Sequence, residues 1–224
     1  MRASISVAAL LTTLVGQVAG QNAEPVTDNP VGVTYKATLP DEPFFKLSGL
    51  EGNVKGYISA VANKDGDGVD FSVILSNLPK EGGPFIYHVH VDPVPEDGNC
   101  TKTLAHLDPF ERGEATPCDS TQPESCQVGD LSGKHGSIQT DPFEAHYLDL
   151  YASTKEGIGA FFGNRSIVIH YANKTRLTCA NFVMTGGSEP SSTPSSTMIP
   201  SEASSMLLPG SVLLAGAFAL LAAL

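Results

Sequence analysis

An all-β domain of about eight short strands, a sandwich or flattened barrel, is the fold the sequence predicts. Three observations carry that reading. Runs rich in β-branched and aromatic residues recur along the chain, separated by clusters of Gly, Pro, Asn and Asp. Several of these runs alternate, as in Val31-x-Val33-x-Tyr35 and Phe71-x-Val73-x-Leu75, which is the period of a half-buried strand. No segment of useful length has the period of an amphipathic helix.

Taken in order, the candidate strands are Val31 to Leu39, Val54 to Ala62, Val69 to Leu78, Phe85 to Val91, Ala145 to Tyr151, Gly157 to Phe162, Ser166 to Tyr171 and Leu177 to Met184. Asp65-Gly66-Asp67-Gly68 is a hairpin turn between the second and third. From Asp92 to Pro142 strand character is scarce. A stretch that long inside a compact domain is normally functional or cross-linked.

The chain has 224 residues, and both ends read as processing signals. Residues 1–20 hold one Arg, an apolar run from Ile5 to Val18 and then small residues, the layout of a secretory signal peptide. Residues 188–205 are rich in Ser, Thr and Pro, too poor in apolar side chains to fold, and read as an extended stalk. Residues 206–224 are nearly all apolar and lack a basic flank, which favours a removed GPI-anchor signal over a tail-anchored helix. Residues 21–187 are left as one domain. Its expected place is outside the cell, held on the membrane by a lipid anchor, with cell-wall glucan as a further point of linkage. Secretion gives meaning to the sequons at Asn99, Asn164 and Asn173 as glycan acceptors. A formal net charge of −11 with no basic cluster argues against nucleic acid as a partner.

Four cysteines in a secreted chain imply two disulfides, with three pairings open. Cys100–Cys179 with Cys118–Cys126 is the favoured set. The first would tie the long loop to the last strand and contribute about 4–5 kcal/mol on the chain-entropy model. The second would pin a local excursion. Thiolate metal ligation is disfavoured by the oxidising compartment and by the absence of Cys-x-x-Cys.

The run Phe85-Ile86-Tyr87-His88-Val89-His90-Val91 organises the rest. On a strand, His88 and His90 share a face, about 6–7 Å apart, and Val89 enters the opposite layer. A plain surface strand would explain the pair alone. His106 and His170, the latter in a second β-branched run, make a set of four imidazoles suited to copper or zinc.

Tyr87-His88-Val89-His90, the Cys100-to-His106 spacing, Val128-Gly129-Asp130-Leu131, Ile169-His170 and Thr175-Arg176-Leu177-Thr178-Cys179-Ala180 together resemble the copper/zinc superoxide dismutase family. The likeness is greatest to its fungal, GPI-anchored, copper-only branch, for which Gly129-Asp130-Leu131-Ser132-Gly133-Lys134-His135-Gly136 is also typical. The resemblance runs from about Val31 to Met184. It implies an eight-stranded Greek-key β-barrel, an immunoglobulin-like sandwich with a long disulfide-linked loop. It implies copper held by His88, His90, His106 and His170, Cys100–Cys179 as the family disulfide, and Arg176 as the cation that receives an anionic substrate. The implied activity is conversion of superoxide to O2 and hydrogen peroxide at the cell surface, with a monomer as the favoured state. His106 is the expected proton carrier among the ligands.

The sequence also departs from that pattern. No His lies between His106 and His135, Gln127 occupies a zinc-ligand position, and only Asp130 of that set remains. One copper per domain and no zinc is therefore expected. Gln127 and Asp130 are the expected supports of the ligand set, with Glu124 as an alternative to Asp130. Only Tyr171 to Thr175 separate His170 from Arg176, so an open site is expected, with Lys134 and Lys174 assisting Arg176 in attracting the anion. His135 is expected to hold a loop and His146 to sit at a strand start. Two other readings are a non-catalytic copper-buffering module and a structural wall glycoprotein. Arg176 argues against the first and the four histidines against the second.

Overall fold

The structure, a computed structural model, describes residues 20–45 and 50–187. The stalk and the anchor signal lie outside the described residues, as does all of the signal peptide except Gly20. Among the described residues eight strands form, in chain order: β1 (Thr34–Thr38), β2 (Lys55–Ala62), β3 (Val69–Ser76), β4 (Ile86–His90), β5 (Phe143–Asp149), β6 (Ser166–His170), β7 (Arg176–Asn181) and β8 (Val183–Gly186). They pair antiparallel in two sheets, ordered β5-β3-β2-β1-β8 and β4-β6-β7.

The five-stranded sheet follows the alternation in the sequence. On β3, Val69, Phe71, Val73 and Leu75 are buried while the residues between them are partly exposed. Each such side chain taken out of water stabilises the fold by about 1.5–3 kcal/mol. The turn between β2 and β3 uses Gly66 and Gly68, both at positive φ, which a side chain there would resist. An aromatic group of Tyr35, Phe71, Phe161, Phe162 and Phe182 fills the space between the sheets, with edge and tilted contacts at 4.9–5.9 Å between centroids.

The three-stranded sheet is covered on both faces, and this places the site. Every residue of β6 is buried. Ile167 and Ile169 join Tyr87 and Val89 in the main core, while Val168 packs with the Cys100–Cys179 disulfide on the opposite face. His88, His90 and His170 stand on that same opposite face by strand alternation. The long segment after β4 covers it. That segment carries 3-10 turns at Cys100–Thr103 and Pro123–Ser125 and one short helix, α1 (Leu131–His135). The second disulfide, Cys118–Cys126, closes an excursion within the segment.

The elements differ from the sequence expectation in three places. Gly157 to Phe162 is not a strand but a loop that buries Ala160, Phe161 and Phe162. Gly159 and Gly163 pass so close to Pro109 and Tyr35 that a Cβ would lie 2.7 and 2.3 Å from them, so the run serves close packing rather than a ladder. Leu177 to Met184 is two strands. The chain leaves the smaller sheet at Phe182, whose N–H donates to Arg165 O, and joins the larger sheet as β8. His146 lies within β5 rather than at its start, exposed and bonded to Ser72 and Glu144.

Candidate metal centre

Three backbone hydrogen bonds bring the fourth histidine to the other three. The Val89 N–H donates to Gly129 O, Leu107 N–H to Val89 O, and Gly129 N–H to Leu107 O. His106 thereby bridges antiparallel to His90 at the edge of β4. Gly129 is required at this crossing, because a Cβ there would lie 2.4 Å from Val89 O.

One ligand atom from each of His88, His90, His106 and His170 falls within 4.8 Å of all the others. The hydrogen bonds at the back of each ring decide which atom that is. His90 Nδ1 donates to Leu104 O at 3.0 Å, and His170 Nδ1 to Lys174 O at 3.0 Å. Both Nε2 atoms are then unprotonated, yet they face each other at 3.2 Å. Two lone pairs at that distance repel unless a cation lies between them. His106 Nδ1 meets Gln127 Oε1 at 2.7 Å, which leaves its Nε2 bare. The fourth ring is turned the other way. His88 Nε2 lies 3.3 Å from Asp130 Oδ1, and its buried Nδ1 has no hydrogen-bond partner. A buried imidazole nitrogen without a partner is costly, and a metal ion satisfies it. The residues present therefore fit an imidazole-bound metal.

The site disfavours protons. Burial, with the neighbouring rings His106 and His170, lowers His90 to about 2. Burial and His88 lower His170 to about 3, and the same causes lower His106. Neutral imidazole is the ligating form. Burial alone would raise Asp130, but the hydrogen bonds from His88 and from the Gly133 N–H outweigh it and lower the carboxyl.

Arg176 reaches over the smaller sheet from the start of β7. Its guanidinium donates to Cys100 O and Leu104 O and lies 3.4 Å from Thr103 Oγ1. The Cys100–Cys179 disulfide ties the turn that carries both carbonyls to β7. Residues Tyr171 to Thr175 make a tight reversal, with Lys174 at positive φ so that its carbonyl faces His170. A cavity of about 360 Å³ adjoins His88 and His106, bordered by Gln127, Asp130, Glu114 and Lys174.

The two expected supports each meet a different candidate ligand. Gln127 meets His106, whereas Asp130 meets His88 and caps α1 through Gly133 N–H at 2.7 Å. Glu124 turns to other partners: its carbonyl accepts from Ala23 N–H and its side chain meets Tyr151. Lys134 cannot attract an anion, because its side chain is fully buried, 2.5 Å from Asp149. Lys174 is exposed and lies 3.7 Å from Glu114. His135 ends α1 and meets Asp149 at 2.7 Å. Asn164 and Asn173 are exposed and Asn99 is half-buried. The sequence alone does not mark Leu104, the Lys174 carbonyl or Asp108 as parts of the site. The first two act through carbonyls, which every residue has.

Comparison with known proteins agrees with this geometry. The chain is 41% identical over 212 residues to the cell surface Cu-only superoxide dismutase of Arthroderma benhamiae, covering 82% of this chain and 55% of that protein. It is 40% identical over 132 residues to cell surface Cu-only superoxide dismutase 5 of Candida albicans, covering 59% of this chain and 56% of that protein. The chain thus spans about half the length of these curated relatives. The solved Cu(II) structure of Candida albicans superoxide dismutase 5 matches with a TM-score of 0.60 and 34% identity, over 72% of this chain and 97% of that one. No protein-family model matches the chain.

Proposed function

The chain belongs to the superoxide dismutase family, in the group of the fungal cell-surface Cu-only proteins, and on that premise we propose that it is a copper-dependent superoxide dismutase acting outside the cell. The reaction takes two superoxide ions and two protons to O2 and hydrogen peroxide. His88 Nδ1 and the Nε2 atoms of His90, His106 and His170 would hold one copper. When bound, copper supplies the one-electron couple that oxidises one superoxide and reduces the next. The observation that carries this reading is the convergence of four bare imidazole nitrogens, each fixed by a partner on its other side.

The remaining roles belong to side chains. Arg176 stays charged at any working pH and orients a small anion, its guanidinium held by two carbonyls. His106 lines the adjoining cavity together with His88 and is the more exposed of the two, at 13% of its side chain against 7%, so it is the ring placed to exchange a proton with solvent. A zinc site is not part of the reading, because Gln127 and the lone carboxylate Asp130 are already engaged with the ligand histidines. The lipid anchor, the stalk, glycans at the three sequons, linkage to wall glucan and a monomeric state complete the proposal on sequence grounds.

Purified protein, analysed for metals and assayed for superoxide removal, tests it. One copper per chain, no zinc requirement and rapid superoxide removal are expected. Stoichiometric zinc needed for activity would refute the copper-only reading, and tight copper binding without turnover would leave a copper-buffering module instead.

A further inference from the structure

The support behind His106 has an unusual composition. Its partner Gln127 is an amide, and an amide can face an imidazole with either of two opposite ends. With Oε1 forward it accepts from Nδ1–H and leaves Nε2 bare. With Nε2 forward it donates, moves the ring proton to His106 Nε2 and blocks ligation there. Something must select between these ends, and His106 alone does not.

Asp108 is placed to do so. Its Oδ2 lies 3.0 Å from Gln127 Nε2. The carboxylate itself is held by two backbone donors, Arg112 N–H to Oδ1 at 3.0 Å and Gly113 N–H to Oδ2 at 2.7 Å. An ionised carboxylate only accepts, so the end of Gln127 facing it must be the NH2 group. That leaves Oε1 for His106 Nδ1, at 2.7 Å. Arg112 holds the same loop in place by donating to Ser125 O.

We propose that Asp108 is a positioning residue that fixes the tautomer of His106 by fixing the direction of the Gln127 amide. Resting on the copper reading above, it says why an uncharged residue suffices beside His106. The carboxylate stands one residue further back, and the amide transmits its polarity.

The test is a double-mutant cycle with two readouts on the purified chain. These are Cu(II) affinity of the metal-free protein by chelator competition, and the protonated nitrogen of His106 by nitrogen-15 NMR. Asp108→Ala should weaken copper binding by about 10-fold, the lower end of what loss of a ligand's supporting partner costs. It should also give His106 a mixed tautomer. Asp108→Asn keeps an acceptor for Gln127 and should stay within about 3-fold of the parent, on the same scale. Gln127→Glu supplies two acceptor oxygens and needs no selection. In that background Asp108→Ala should leave affinity unchanged or raise it, because a carboxylate pair is relieved. If Asp108→Ala weakened copper equally in both backgrounds, Asp108 would merely cap the loop and the inference would fail. An unchanged tautomer in Asp108→Ala would overturn it too. If the parent bound no copper, the metal reading would fall, while the NMR readout would still decide the role of Asp108.

Discussion

The ammonium of Lys134 lies 2.5 Å from Asp149 Oδ2, and neither side chain exposes any surface to solvent. Lys134 also donates to Val128 O, and Asp149 accepts from His135 and from the N–H groups of Tyr151 and Ala152. The pair fastens α1 to the end of β5. Because α1 carries Ser132 against Tyr87 and is capped by Asp130, the pair also supports the wall behind His88.

Removing one partner leaves the other charge buried and unpaired. Lys134→Met is expected to cost about 3–5 kcal/mol in stability, measured by denaturant unfolding of the disulfide-intact protein. Adding Asp149→Leu should recover much of that loss. A single-variant loss below about 1 kcal/mol, the range of surface pairs, would show that the pair is not buried in solution.

The same pair sets the response to acid. Burial alone would raise the Asp149 carboxyl, but the charge of Lys134 and the hydrogen bonds from His135 and Lys134 outweigh it and hold it well below the usual carboxylate range. In the unfolded chain it titrates near about 3.9. Between these values the unfolded chain binds a proton that the folded chain does not, so stability rises with pH there. The contribution is complete above about pH 5 and is lost as pH falls through the unfolded value toward the folded one. Asp149→Asn should be less stable at neutral pH and lose less stability than the parent between about pH 5 and pH 2. Parallel stability curves for the two proteins would contradict this.

Arg176→Ala should keep copper, since a guanidinium is not a ligand. Superoxide removal should fall about 10-fold or more, and the residual rate should depend less on ionic strength. His170→Ala is the control, and there copper affinity itself should drop. Full rate with full salt dependence in Arg176→Ala would remove Arg176 from the mechanism.

Leu104 has φ 60° and ψ −133°, a region that favours glycine, and the residue is 55% exposed. Such a conformation costs about 1–3 kcal/mol. Leu104→Gly relieves it at about 0.5–1 kcal/mol of added chain entropy. The midpoint of thermal unfolding should therefore hold or rise, with copper affinity unchanged. A clear fall would mean that the leucine side chain contributes packing that its exposure conceals.

Much of this was legible in the residues, for reasons that also mark where reading stops. Alternation in Phe71-x-Val73-x-Leu75 records one buried face, and β3 lies there. The run from Gly157 to Phe162 is also apolar, yet Gly159 within it and Gly163 after it serve close packing instead of a ladder. His88 and His90 declare a shared face by spacing alone. Lys134 resembled a surface charge, because a lysine carries no mark of the carboxylate that will bury it, and Asp149 lies fifteen positions away. Asp108, before a proline, reads as a turn residue. Its bond to Gln127 depends on how Arg112 and Gly113 fold back upon it. Carbonyl partners such as those of Leu104 and Lys174 have no signature in any sequence.

The Leu104 carbonyl accepts from both His90 and Arg176. One backbone atom therefore serves as the common fulcrum for a candidate metal ligand and for the cation expected to receive the anion. Neither can be retuned alone by moving this turn, since a shift that improves the reach of Arg176 also tilts the His90 ring. For an engineer seeking a different substrate charge or a different redox setting, the two properties are yoked at this point. Separate adjustment has to come from elsewhere, through the opposite rings His106 and His170.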